Sequence, residues 1–136
     1  MPQTTIDLIN NYYQAFNAGD MNAFLNLLDD NIIHDINQGG IQTGKDVFKK
    51  FMDHMNQCYK ENIRDITIMT NTDGSSAAAK FMVDGAYLAT DNGFPEATQQ
   101  KYSLPAGSFF DIKNGKITRV TTYYNLPEWL KQVSEK

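Results

Sequence analysis

The chain has 136 residues and a mass of 15.4 kDa, with 12 basic and 16 acidic side chains, a net charge of −4 and a pI near 5.0. No basic run or stripe appears, which argues against nucleic acid and anionic membrane surfaces as partners. Mean hydropathy is −0.48 with no long apolar run, the N-terminus MPQTTIDLIN lacks the pattern of a signal peptide, and the single cysteine, Cys58, forms no internal disulfide; a soluble cytoplasmic domain is expected.

The first third reads as helical. Thr4 or Thr5 caps a helix with Ile6, Ile9, Tyr12, Tyr13 and Phe16 at its apolar positions. Gly19 suits its left-handed stop, and Asp20 suits the next N-cap. A short second helix carries Phe24, Leu25, Leu27 and Leu28 and ends at Asp29-Asp30-Asn31. Ile32 to Asn37 reads as a strand, and Gln38-Gly39-Gly40 as a turn or loop. A third helix opens near Gly44, with Val47, Phe48, Phe51, Met52, Met55 and Tyr59 as its stripe. Four strands follow, over 63–72, 77–90, 99–112 and 116–125, punctuated by Asp73-Gly74, Asp91-Asn92-Gly93 and Asn114-Gly115. Pro127 starts a short C-terminal helix bearing Trp129, Leu130 and Val133. No linker divides the chain, so residues 1–136 form one α+β domain: three N-terminal helices on an antiparallel sheet, with a helical tail.

Several segments together resemble the nuclear-transport-factor-2-like superfamily, in its ketosteroid-isomerase-related and SnoaL-like branch. They are Tyr12-Tyr13-Gln14-Ala15-Phe16-Asn17-Ala18-Gly19-Asp20, Asp29-Asp30 with the strand that follows, Gly44-Lys45-Asp46, Leu104 to Asp111 with Asn114 to Ile117, and Tyr123 to Leu130. The resemblance implies a cone-shaped barrel with a curved sheet, a deep pocket, and dimerisation through the outer sheet face. In ketosteroid isomerase a helix-one tyrosine and a strand aspartate meet in the pocket. By spacing, these positions match Tyr12 and Asp35. The family's second oxyanion donor, a protonated aspartate, matches Gly107 when the Asn-Gly turns are aligned, so the carboxylic acid is missing here.

Asp35 shares its strand face with Ile33 and Asn37. In an apolar pocket its pKa would rise, making it a proton acceptor near neutral pH, with Tyr12 donating to a developing enolate oxygen. A solvated or turn-capping aspartate is the plain alternative. Tyr59, Tyr124 or the Trp129 N–H are candidate second donors. Phe16, Met52, Met55, Phe81, Val83, Phe109 and Tyr124 either line a ligand pocket or fill the cone. On the strand from Ala77 the apolar face is Ala77, Ala79, Phe81, Val83 and Tyr87, which turns Asp84 outward. Phe110, Ile112 and Tyr123 fall on the outer face and suggest a homodimer.

His34 and Asp35 point to opposite strand faces, and with His54 as the other histidine no zinc spacing appears. Cys58 lacks an evident partner and reads as a packed thiol. Without a phosphate loop or a nucleophile elbow, no nucleotide or other cofactor is expected. Three functions compete: an enzyme moving a proton on a small, apolar carbonyl compound through an enolate, as an isomerase, lyase or cyclase would; a non-catalytic binder of such a molecule; and a dimeric interaction module.

Overall fold

The heptad-like spacing of Leu8, Ile9, Tyr12 and Ala15 folds the N-terminus into helix α1 (Pro2–Ala18), which buries all four together with Thr5 and Tyr13. The computed structural model describes residues 2–36 and 39–134; Asn37 and Gln38, expected in the first strand and its turn, lie outside them. Gly19 adopts φ 70°, and the Asp20 carboxylate accepts from Ala23 N–H at 3.1 Å, capping α2 (Met21–Asn26). The Asn17 side chain does more than end α1. Its amide pairs both main-chain groups of Ile63, each at 2.8 Å, tying the helix to a distant strand.

The second helix is shorter than its apolar residues suggest. Leu27 is its C-cap, and Leu28, only 1% exposed, opens strand β1 (Leu28–Ile36). The Asp29-Asp30-Asn31 segment therefore lies in the strand and does not interrupt it. An edge strand β2 (Ile41–Thr43), too short to read from periodicity, pairs antiparallel with Ile33 to Asp35. Helix α3 (Lys45–Cys58) buries Phe48 and Met52, and Gly44 before it takes φ 108°. Tyr59 leaves the helix with φ −136° and begins β3 (Tyr59–Thr70), so it belongs to the sheet. β4 (Ser76–Tyr87), β5 (Gln100–Lys113), β6 (Lys116–Tyr124) and α4 (Leu126–Ser134) follow close to expectation.

The curved, unclosed sheet has the order β2-β1-β6-β5-β4-β3. Every adjacent pair is antiparallel except β1 with β6. α1 packs on β3, α3 on β1 and β2, and α4 on β5, so one sheet face is covered and the other open. One cross-strand row sets the phase. His34, Val120, Phe110 and Ala77 are successive partners, and the last three are at most 6% exposed beneath the helices. The next row, Asp35, Thr121, Phe109, Ala78 and Met69, must then face the opposite way. Phe109 and Met69 are 54% and 50% exposed.

Candidate active site

Because a one-residue step reverses the face, several expected positions exchange places. Phe109, expected inside, lies on the open face edge-to-face with Tyr123 at 5.7 Å. Phe110, expected outside, is 2% exposed and packs on Tyr12 and Tyr13. Tyr123 is exposed as expected, and Ile112 is partly buried against the core. Gly107 shares the open face with Tyr123, while Ser108 faces in and its hydroxyl lies 2.7 Å from that of Thr122.

Asp35 also lies on the open side. Its Oδ2 accepts from Arg119 Nε at 2.7 Å, and the Arg119 terminal nitrogen is equally near. Its Oδ1 is buried without a partner. The neighbour that faces the helices is His34, whose ring stacks on Phe48 and meets Phe51 edge-on, both at 4.6 Å. Burial holds its pKa below the usual imidazole range, against a smaller opposing effect of the Asp35 charge. His34 Nδ1 and Gln42 Oε1 on the paired strand are both buried without partners. Tyr12 sits deep in the packed interior, with its ring 4.5 Å from that of Phe24, and burial raises its pKa well above the phenolic norm.

The interior does contain a carboxyl group, and it comes from β3. Glu61 shares the covered face with Tyr59 and Ile63 and stands in register with Gly85, which stands in register with Tyr102. The Tyr102 ring crosses Gly85, and its hydroxyl donates to Glu61 Oε2 at 2.5 Å. A Cβ on Gly85 would lie 2.3 Å from the ring carbon Cζ, so this crossing requires glycine. Burial raises the Glu61 pKa, while the bond from Tyr102 pulls it down. Tyr124, partly buried, has its phenol pKa raised by burial first and by the Glu61 and Asp91 charges next.

Aromatic side chains assemble at this pair, Tyr59 and Trp129 among the expected ones and Tyr87, Phe94 and Tyr102 in addition. The Tyr59 and Tyr87 rings stack at 5.4 Å, and Trp129 meets Tyr59, Tyr87, Phe94 and Tyr102 edge-on at 5.2–6.0 Å. Phe81 is buried against Tyr13, and Val83 and Met52 are buried core. Phe16 and Met55 pack at the core's edge. Asp84 faces outward as expected, bonded to Arg64 and Ser103. Two surface recesses of about 240 and 410 Å³ lie elsewhere, one where α1 meets the hairpin tips and one along α1 and α2; neither is lined by Tyr12, Asp35, His34 or Glu61. Glu61 was missed in the sequence: the expected strand began at residue 63, and Glu61 stands among Lys60, Asn62, Arg64 and Asp65, which give no local signal of a covered position. Its partner Tyr102 is 41 residues away.

The SnoaL-like domain profile matches residues 9–120, and the chain belongs to that family. A crystal structure from Pseudomonas putida, of a protein provisionally called a polyketide cyclase, is 59% identical over 95% of this chain and 97% of its own, with a TM-score of 0.93. Proteins given the same provisional name in Silicibacter and Xanthomonas campestris are 51% and 45% identical. They cover 98% and 97% of this chain and 97% and 98% of their own, each with a TM-score of 0.94. No curated protein matches the chain. Among the described residues no helix is long and apolar enough to cross a membrane.

Proposed function

We propose that this chain binds a small, largely apolar carbonyl compound and moves a proton on it through an enolate, as an isomerase or cyclase does, with Glu61 as the base. The family and the relatives' provisional names support small-molecule chemistry of the cyclase or isomerase type. The observation that carries the assignment of the base is the Glu61–Tyr102 pair: a carboxyl on the covered face, desolvated, with raised pKa, in an aromatic surround. Desolvation disfavours the carboxylate and so strengthens it as a proton acceptor at neutral pH. The phenol of Tyr124, kept protonated by burial and by the nearby negative charge, supplies the hydrogen bond to the enolate oxygen. Tyr59 and Trp129 give the apolar contacts.

The alternative base, Asp35 with Tyr12 as donor, is weaker on physical grounds. The Asp35 carboxylate is engaged by the Arg119 guanidinium on the open sheet face, whereas Tyr12 packs against Phe24 in the packed interior, so the two do not converge on one substrate. The deciding experiment incubates the protein in D2O with a panel of cyclic and aliphatic ketones and follows α-deuterium incorporation by mass spectrometry. Glu61→Gln should abolish incorporation and Asp35→Asn should leave it near the wild-type rate. The opposite pattern returns the role to Asp35, and the absence of incorporation by the wild type across the panel overturns the proton-transfer reading.

The proposal includes pairing of two copies through the open sheet face, supported by the exposure of Met69, Phe109 and Tyr123, and a cytoplasmic location.

A further inference from the structure

At the end of α3, on the loop side of the aromatic cluster, three side chains outside the proposed proton-transfer pair converge. His54 and Cys58 lie one helical turn apart, and Asp91 reaches them from the segment after β4. His54 Nε2 is 2.8 Å from Asp91 Oδ1 and 3.8 Å from Cys58 Sγ, and the three donor atoms all lie within 4.8 Å of one another. We propose that His54, Cys58 and Asp91 form a binding site for a zinc-class divalent metal ion, with the fourth position open on the solvent side.

The geometry separates this reading from a nucleophilic thiol relay. In a relay the imidazole uses one nitrogen toward the thiol and the other toward the carboxylate. Here the same nitrogen, Nε2, faces both, so no proton can pass through the ring from Cys58 to Asp91. Three ligand atoms within 4.8 Å of one another are instead what a tetrahedral ion requires. With zinc–sulfur, zinc–nitrogen and zinc–oxygen bonds of about 2.3, 2.05 and 2.1 Å, tetrahedral ligands stand roughly 3.6 Å (N to S) and 3.4 Å (N to O) apart. The observed N–S separation already fits, and the N–O pair needs to open by about half an ångström, the change expected when an ion replaces the hydrogen bond between them.

The surroundings hold the ligands as metal ligands are usually held. Asp91 Oδ2 accepts from the Tyr59 hydroxyl at 2.7 Å, and its backbone N–H donates to the Tyr87 hydroxyl at 2.9 Å, so the carboxylate is oriented with Oδ1 left for the ion. Access is open on one side only: the His54 side chain is 51% exposed, that of Asp91 16%, and Cys58 is 3% exposed beneath them. Binding deprotonates the thiol, and the proton passes to solvent, so affinity rises with pH. The thiolate and imidazole set selects borderline and soft ions over magnesium or calcium.

The test titrates the full chain, reduced and chelator-treated, with cobalt(II) alone. The expected result is saturation at one equivalent with a sulfur-to-cobalt charge-transfer band and tetrahedral visible absorption. Zinc added in excess should bleach both. Cys58→Ser should abolish the charge-transfer band. His54→Ala, at an exposed position where folding is not at risk, should weaken binding at least tenfold, and Asp91→Asn comparably. Absence of the band in the wild type, or equal affinity in His54→Ala and wild type, overturns the assignment.

Discussion

Gly85 is where a single methyl group tests the site. A Cβ there would stand 2.3 Å from Tyr102 Cζ and 2.5 Å from both Cε2 and the hydroxyl oxygen, so the ring must leave its position over the strand. Overpacking of this kind costs about 1–3 kcal/mol, and the phenol–carboxylate bond lost with it about 1.5–3 kcal/mol. Alanine's better strand propensity returns at most about 1 kcal/mol of this, so Gly85→Ala should destabilise by about 2–5 kcal/mol. The origin of the loss can be isolated with Tyr102→Val, whose side chain is too short to lie over residue 85. In that background Gly85→Ala should be neutral or stabilise by about 0.5 kcal/mol, because only the backbone-entropy effect remains. Urea unfolding of the four proteins gives the coupling energy directly. A similar cost for Gly85→Ala in both backgrounds would show that Tyr102 is not what the glycine accommodates, and the argument for a built Glu61–Tyr102 pair would fail.

Other outcomes follow from the same structure. The acidic limb of α-proton exchange should lie above the ordinary glutamate range, because the raised Glu61 pKa leaves the base protonated there; a limb at the unperturbed value argues against Glu61. Glu61→Gln should raise the melting temperature at pH 7 and lose that advantage as pH falls, since a folded-state pKa raised above the unfolded one means the ionised group opposes folding only above it. His34 has the opposite sign: its folded pKa is lowered, so stability should decline as pH falls below about 6.5, and His34→Phe should flatten that decline in melts between pH 7 and 5. Tyr124→Phe should slow exchange by about 10²–10³ if its phenol carries the oxyanion. Phe109→Glu, which places a charge amid exposed apolar side chains, should convert a dimer to a monomer by light scattering with little change in melting temperature.

Apart from the short edge strand β2 and the point where α2 gives way to β1, the sequence by itself determined the element types, their order and the family, because these depend on local quantities: the 3.6-residue stripe of α1 and α3, the capping pair Gly19 and Asp20, and the Asp-Gly and Asn-Gly turns between long strands. What it left open was phase. Ile32 and Ile33 are both apolar, as are Phe109 and Phe110, so alternation has no preferred register in either strand, and only the pairing of β1, β6 and β5 decides that His34 and Phe110 go in while Asp35 and Phe109 go out. The two polar constellations were invisible for a second reason. Glu61 meets Tyr102 across 41 residues and His54 meets Asp91 across 37, and such contacts exist only once β3, β4 and β5 are paired and the segment after β4 has folded back on α3.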